Sequence, residues 1–243
     1  GHGAGAGHGA DSIDFKILEG LAGEIKGIRG GGMGSKGKFP LEICLVMGGG
    51  NIWRYRDNTG KGMGRVESDF MGMLATVMNG MALQSVLENA GVPTRLMSAL
   101  PVAEVAEPYV RRKALHHLST GRVLICAGGT GRPYFTTDSA AALRGLELKC
   151  DVFLKATKVD GVYDSDPMKN PKAKRFETLS FDEVLKRRLE FMDTTASALC
   201  REGKLPVIVF DLMKKGNLAK VVSGKKVGTL VVNSNTHQAS NSK

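Results

Sequence analysis

The sequence is poor in several features that mark specialised protein classes. Aromatic residues make up only 6% of it, with a single tryptophan, so it does not offer the interleaved aromatic platforms on which single-stranded nucleic acids stack. Its four cysteines lie far apart, with the spacing of neither a zinc site nor a disulfide framework. Cys44, Cys126 and Cys150 sit in or beside apolar runs and read as buried thiols of a reducing, cytoplasmic compartment. No uninterrupted apolar run approaches the roughly 20 residues that cross a bilayer. The first twelve residues, GHGAGAGHGADS, have neither the basic nor the apolar region of a secretory signal. His2 and His8 are separated by glycine and alanine alone, with no third ligand nearby, so no metal site is read there.

What is present is a basic balance, 34 Lys and Arg against 24 Asp and Glu, a net charge of +10. The charges are scattered. The denser groups, Arg111-Arg112-Lys113, Lys186-Arg187-Arg188 and Lys214-Lys215, fall where polar helix or loop faces are expected. That distribution favours small phosphorylated ligands over a nucleic acid. At 243 residues the chain suits one large α/β domain or two small lobes.

Apolar periodicity alternates between strand and helix. Ile17, Leu18, Leu21, Ile25 and Ile28 recur at helical spacing, and so do Met71, Leu74, Ala75, Met78, Ala82 and Val86. Strands are expected at 41–47, 94–99, 122–127, 151–155, 206–210 and 228–232. Helices are expected around 104–118, from Asp138, after a Ser180/Glu183 capping box, after Asp193 and near 217–223. Continuous apolar strands between helices mean a mostly parallel central sheet covered on both faces, a three-layer α/β/α sandwich, with ligands at the carboxyl ends of the strands. The methionines at 71, 73, 78 and 81 read as helix packing. The polar tail, 236–243, reads as disordered.

Three strand ends carry loops suited to phosphate. The run Leu41 to Met47 is short and apolar, which reads as a strand buried on both faces. It ends in Gly48-Gly49-Gly50, a turn free to take positive φ and open to close approach at its N–H groups, with Arg54 beyond it as a planar donor fork. The strand at 122–127 runs into GGTGRPYFTTDSAA, with glycines, hydroxyls and Asp138 at a helix start. The strand at 151–155 runs into ATKVDGVYDSDP, where Lys158 could meet a phosphate and Asp160, Asp164 and Asp166 could form turns, accept from a ribose or help hold a metal. Asp69, early in the long helix, could serve the helix dipole or a ligand. The segment GMGSKGK at 32–38 nearly spells a P-loop, but Phe39 follows it and it precedes a strand. Three such loops suggest two phosphorylated ligands, and hence phosphoryl transfer.

The strings MGMLATVMNGMAL (71–83), GTGRPYFTTDSAAALRG (129–145) and LKATKVDGVYDSDP (154–167) closely resemble the bacterial uridylate kinases, which have the amino-acid-kinase fold. The resemblance runs from about residue 11 to 232. It implies a single domain over 1–235, with a UMP-side lobe at 11–145 and an ATP-side lobe at 146–235. It places Gly49, Asp69, Thr130, Gly131, Arg132, Pro133, Tyr134, Phe135, Thr136 and Thr137 around UMP, with Asp69 reading the ribose. It puts Gly50 and Arg54 at the phosphates, Thr157, Tyr163 and Asp166 at ATP, and Asp138 in the catalytic centre with Arg54. It further implies Mg²⁺, a homohexamer, GTP activation and UTP inhibition, with no nucleic acid and no membrane as partners.

Three differences stand beside the resemblance. Phe70 occupies a position more usually polar, and 29–38 is longer than the usual connection. Family members also open with a strand that ends in a lysine followed by Ser-Gly-Glu, whereas the first lysine here is Lys16, on an expected helix. A leading segment is therefore expected in the functional protein. The alternative is a nucleotide-binding member of the fold, catalytically impaired or truncated and lacking that lysine.

Overall fold

The computed structural model describes residues 13–30, 41–58 and 62–234. The connector at 32–38, the histidines at 2 and 8 and the tail at 236–243 lie outside these residues. The element order holds the expected strands and helices: α1 (Phe15–Gly30), β1 (Cys44–Val46), α2 (Arg65–Asn89), β2 (Thr94–Ser98), β3 (Glu107–Pro108), α3 (Arg111–Ser119), β4 (Val123–Ala127), α4 (Thr137–Glu147), β5 (Phe153–Thr157), β6 (Thr178–Ser180), α5 (Phe181–Arg187), α6 (Thr194–Glu202), β7 (Val207–Asp211), α7 (Asn217–Val222) and β8 (Thr229–Val232). Two of the strands, β3 and β6, were not expected. The chain divides into two compact units, one holding residues 42–137 with α1 as far as Lys26, the other holding the remainder of α1 and everything from Asp138 onward.

The first unit carries a four-stranded sheet in the order β1-β4-β2-β3, parallel throughout. All five residues of β4, VLICA, are buried, which suits a continuous run of apolar side chains between two neighbours. The expectation that the first strand is buried on both faces is corrected. Cys44, Leu45 and Val46 are half-buried, because β1 is the end strand of this sheet's order among the described residues.

Helix α2 packs on β2 and β4 through Met73, Val77, Gly80, Leu83 and Leu87, a stripe at three- and four-residue spacing. By length and composition alone it also passes for a membrane-crossing helix, although Thr76, Asn79, Gln84 and Ser85 interrupt its apolar run. Its buried stripe is that of a core helix. Of the four methionines read as packing, Met73 is buried and Met71, Met78 and Met81 are exposed. The helix expected around 104–118 begins only at Arg111, since residues 107–108 pair with β2 as a strand. Glu107, on that strand, receives His117 Nε2 at 2.9 Å and Lys113 Nζ at 3.2 Å.

The second unit carries a sheet in the order β5-β7-β8-β6, with β7 and β8 antiparallel and the other pairs parallel. Its core gathers Leu179, Phe181, Cys200, Val207, Val209 and Val231. The capping box is present as read: Ser180 Oγ accepts from Glu183 N at 3.1 Å, and Glu183 Oε2 accepts from Ser180 N at 3.1 Å.

Replacing the capping hydroxyl and emptying the core beside it should differ in size. Ser180→Ala is expected to cost about 1 kcal/mol, whereas Phe181→Ala is expected to cost about 3–5 kcal/mol through lost transfer energy and a cavity. Urea unfolding of the two variants measures both.

Candidate functional site

The glycine turn after β1 is built onto α2. The N–H groups of Ile52 and Trp53 both donate to the Gly49 carbonyl at 3.0 Å. None of Gly48, Gly49 and Gly50 has positive φ, so the expected reason for glycine is corrected, at Gly49, to one of space. A Cβ on Gly49 would clash with the Gly72 carbonyl oxygen and lie 3.0 Å from the Ala75 methyl carbon. Glycine therefore lets the turn rest directly on the helix backbone. Asn79, buried on α2, donates to the Gly48 carbonyl at 2.7 Å and to Asn51 Oδ1 at 2.7 Å, while Asn51 Nδ2 donates back to Asn79 Oδ1 at 3.1 Å. Trp53 Nε1 donates to the buried Ser68 Oγ at 2.8 Å. Arg54, exposed, folds its Nε back onto the Gly50 carbonyl.

The loop after β4 rests on the same helix. Gly128, at φ +75°, donates its N–H to Thr76 Oγ1 at 2.7 Å, and that hydroxyl donates to the Met73 carbonyl at 2.6 Å. The glycine turn comes close to the same residue, since a Cβ on Gly49 would lie only 3.2 Å from the Thr76 backbone N. Thr130 Oγ1 and Arg132 hold the next turn, Arg132 N donating to the hydroxyl at 3.3 Å. Tyr134 N donates to Asp69 Oδ2 at 2.7 Å, and Arg65 Nε donates to Asp69 Oδ1 at 2.8 Å and to Oδ2 at 2.9 Å. Phe135 is half exposed beyond Pro133. Thr136 continues the loop, and Thr137 ends it with Oγ1 at 3.7 Å from a Cβ position on Gly48.

The structure therefore brings Gly48–Gly50, Asp69 and the segment 130–137 together in the first unit. The Asp69 carboxylate retains acceptor capacity beyond these bonds, which a hydroxyl group can fill.

In the second unit Asp138, in the first turn of α4, is ion-paired with Lys155 from the middle of β5. Ser139 Oγ donates to Asp193 Oδ1 at 3.0 Å, and the same oxygen caps α6 by accepting from Ala196 N at 3.0 Å. Burial pushes the Cys200 thiol up to about 12, with the charges of Asp138 and Asp193 adding to the effect. It is a packing group of the core. Thr157 ends β5 by donating to the Val159 carbonyl at 2.6 Å and accepting from Val159 N at 3.1 Å.

The loop that follows is held by its own side chains. Tyr163 Oη donates to Asp160 Oδ1 at 2.6 Å, a bond that holds the phenol above its ordinary value. Asp166 Oδ1 accepts from Met168 N at 2.9 Å, and Asp164 Oδ1 accepts from Lys174 N at 2.9 Å. The Lys174 amide keeps the Asp164 carboxyl below the usual range. Asp166 thus forms a turn, Asp160 takes the Tyr163 hydroxyl and Asp164 reaches Lys174 ten residues on, and the bonds of Thr157, Tyr163 and Asp166 run to separate partners. Lys158 is exposed. Among the described residues no three His, Cys, Asp or Glu side chains cluster as a metal cage.

Four residues escaped the sequence reading: Arg65, Thr76, Asn79 and Lys155. A signal existed for three of them. Thr76 and Asn79 are polar residues on an otherwise apolar helical stripe, and Lys155 interrupts an apolar strand; a buried polar group needs a partner. Thr76→Val preserves shape and leaves the Gly128 N–H without its acceptor, so it is expected to destabilise the protein by about 1–3 kcal/mol. An unfolding free energy from urea titration lowered by less than about 0.5 kcal/mol would refute that role.

Residues 8–211 match the model of the amino acid kinase family. Solved structures similar to this chain include a UMP kinase from Bacillus anthracis at 36% identity, covering 93% of this chain and 91% of that one, with a TM-score of 0.87. A UMP kinase from Ureaplasma parvum is 35% identical over 94% of both chains, with a TM-score of 0.84. A uridylate kinase from Archaeoglobus fulgidus is 27% identical over 91% of this chain and 94% of that one, with a TM-score of 0.69.

Proposed function

The chain belongs to the amino acid kinase family, and from that premise we propose that it phosphorylates UMP to UDP with ATP as donor, a step of pyrimidine nucleotide synthesis. The observation that carries the proposal is the seating of the Gly48–Gly50 turn, Asp69 and the 130–137 loop on one helix. Similarity to UMP kinases supplies the substrate.

In this reading the lobe at 11–145 receives the acceptor and the lobe at 146–235 the donor. The acceptor is held by Gly49, Asp69 and residues Thr130 to Thr137, with Asp69 accepting from the ribose. Gly50 and Arg54 meet the phosphates, and Thr157, Tyr163 and Asp166 line the donor site. Asp138, oriented by Lys155, organises the catalytic centre. In-line phosphoryl transfer asks the protein for positioning and for positive charge at the transferring group, with no covalent intermediate. Arg54 supplies that charge through its guanidinium, whose Nε rests on the Gly50 carbonyl.

Mg²⁺ fits such a site as an ion carried on the ATP phosphates. Magnesium usually keeps several waters and takes one or two carboxylates, so it does not call for a dedicated cage. When bound it offsets charge on the phosphates. Activation by GTP, inhibition by UTP, assembly as a homohexamer and a cytoplasmic setting complete the proposal, all by likeness to the family.

ADP release with Mg-ATP and UMP, CMP or no acceptor tests it. UMP-dependent turnover well above the other two is the expected result, and equal rates with and without UMP would refute it. Arg54→Ala is expected to lower kcat by on the order of 10²-fold with folding intact.

A further inference from the structure

One guanidinium joins three separate segments of the first unit. Arg65 opens α2, and its Nε donates to both oxygens of Asp69, one turn along the helix. The same guanidinium lies 4.9 Å from the centroid of the Tyr55 ring and 5.6 Å from that of Tyr134. Tyr55 belongs to the 3-10 turn at Tyr55–Asn58 that follows the glycine turn. Tyr134 belongs to the loop after β4, and its own N–H donates to Asp69 at 2.7 Å. The contacts close a ring, from Arg65 to Asp69, from Asp69 to the Tyr134 backbone, and from the Tyr134 side chain back to Arg65.

The position of Tyr134 gives this ring its significance. Its φ is +71°, a left-handed conformation disfavoured for a residue with a large side chain. Such a conformation persists only where the surroundings impose it, and here the imposing groups are the Asp69 carboxylate on the backbone and the Arg65 cation on the ring. Arg65 also fixes the direction in which Asp69 points, because the side chain on the other side of both carboxylate oxygens is its own Nε. A lysine could not do the same, since it lacks the planar fork that bonds and stacks at once.

We infer that Arg65 is the positioning residue of the acceptor site: it orders the 130–137 loop and aims Asp69 at the nucleoside. The inference rests on the assignment of this loop and Asp69 to the acceptor, and deepens it. Arg65 acts through Asp69 and Tyr134 and does not itself touch the transferring group. Its loss should weaken acceptor binding and leave the donor site, which lies on other residues, as it was.

The test uses the full chain with Arg65→Ala and Arg65→Lys, and Tyr55→Leu as a variant that removes one aromatic wall and keeps the ion pair. Amide hydrogen exchange reads the loop without any requirement for activity. In R65A the Tyr134 amide should exchange about tenfold faster or more, the expected consequence of losing a bond to an oriented charge. The KM for UMP should rise about tenfold with kcat changed less than about threefold and the KM for ATP unchanged, the pattern of lost ground-state binding. R65K should recover only part of both effects, and Y55L should fall between R65A and the parent.

Unchanged exchange at Tyr134 in R65A overturns the inference whatever the kinetics. Faster exchange with an unchanged KM for UMP overturns the positioning role. A parent protein that neither binds nor phosphorylates UMP overturns the functional reading instead, and is distinguished by an exchange response that still depends on Arg65. If R65A does not fold, R65K and Y55L decide the same questions.

Discussion

The arrangement of the first unit depends on how closely two loops can approach one helix. α2 accepts the glycine turn only because Gly49 has no Cβ to meet the Gly72 carbonyl, and it accepts the second loop through the Thr76 hydroxyl. Both contacts fall within the same turn of helix. The reciprocal amide pair of Asn51 and Asn79 then ties the first loop to the next turn. These are buried polar contacts, so each partner lost leaves another unsatisfied, and the group acts as a unit. Parallel strands β1 and β4 deliver the loops to that place, because adjacent parallel strands end on the same side of their sheet.

The second unit meets a different constraint. Asp138 and Lys155 are both about four-fifths buried, and each is the charge that makes the other acceptable there. Asp193 serves two elements at once, capping α6 and receiving Ser139 from α4. The start of α4 is therefore held by a lysine on one strand and by the cap of a neighbouring helix. The turn-rich segment after β5 mixes local and distant bonds: Asp160 and Asp166 bond within three residues, while Asp164 reaches Lys174 N and the Val162 N–H donates to Thr229 Oγ1.

Much of this was legible beforehand, for reasons that differ by element. α2 announced itself because a stripe of apolar residues at helical spacing leaves few alternatives, and the capping box at Ser180 fixed the start of α5 through purely local bonds. The strand at 107–108 was not legible: two residues carry no periodicity, and only pairing with β2 makes them a strand. The half-buried state of β1 was equally hidden, because a short apolar run reads the same at the end of a sheet as in its middle. The exposed Met71, Met78 and Met81 show the same limit on a helix that is apolar on both faces.

The sequence by itself determined the alternation of elements, the glycine-rich loops at the ends of β1 and β4, and the residue types in those loops, since local propensity and spacing suffice for each. Only the tertiary structure decided why Gly49 must be glycine, where Thr76 and Asn79 spend their hydrogen bonds, that Lys155 answers Asp138, and that Arg65 stands between two tyrosine rings. Those facts join residues far apart in the chain, and contact between distant residues is set by packing, which no local pattern encodes.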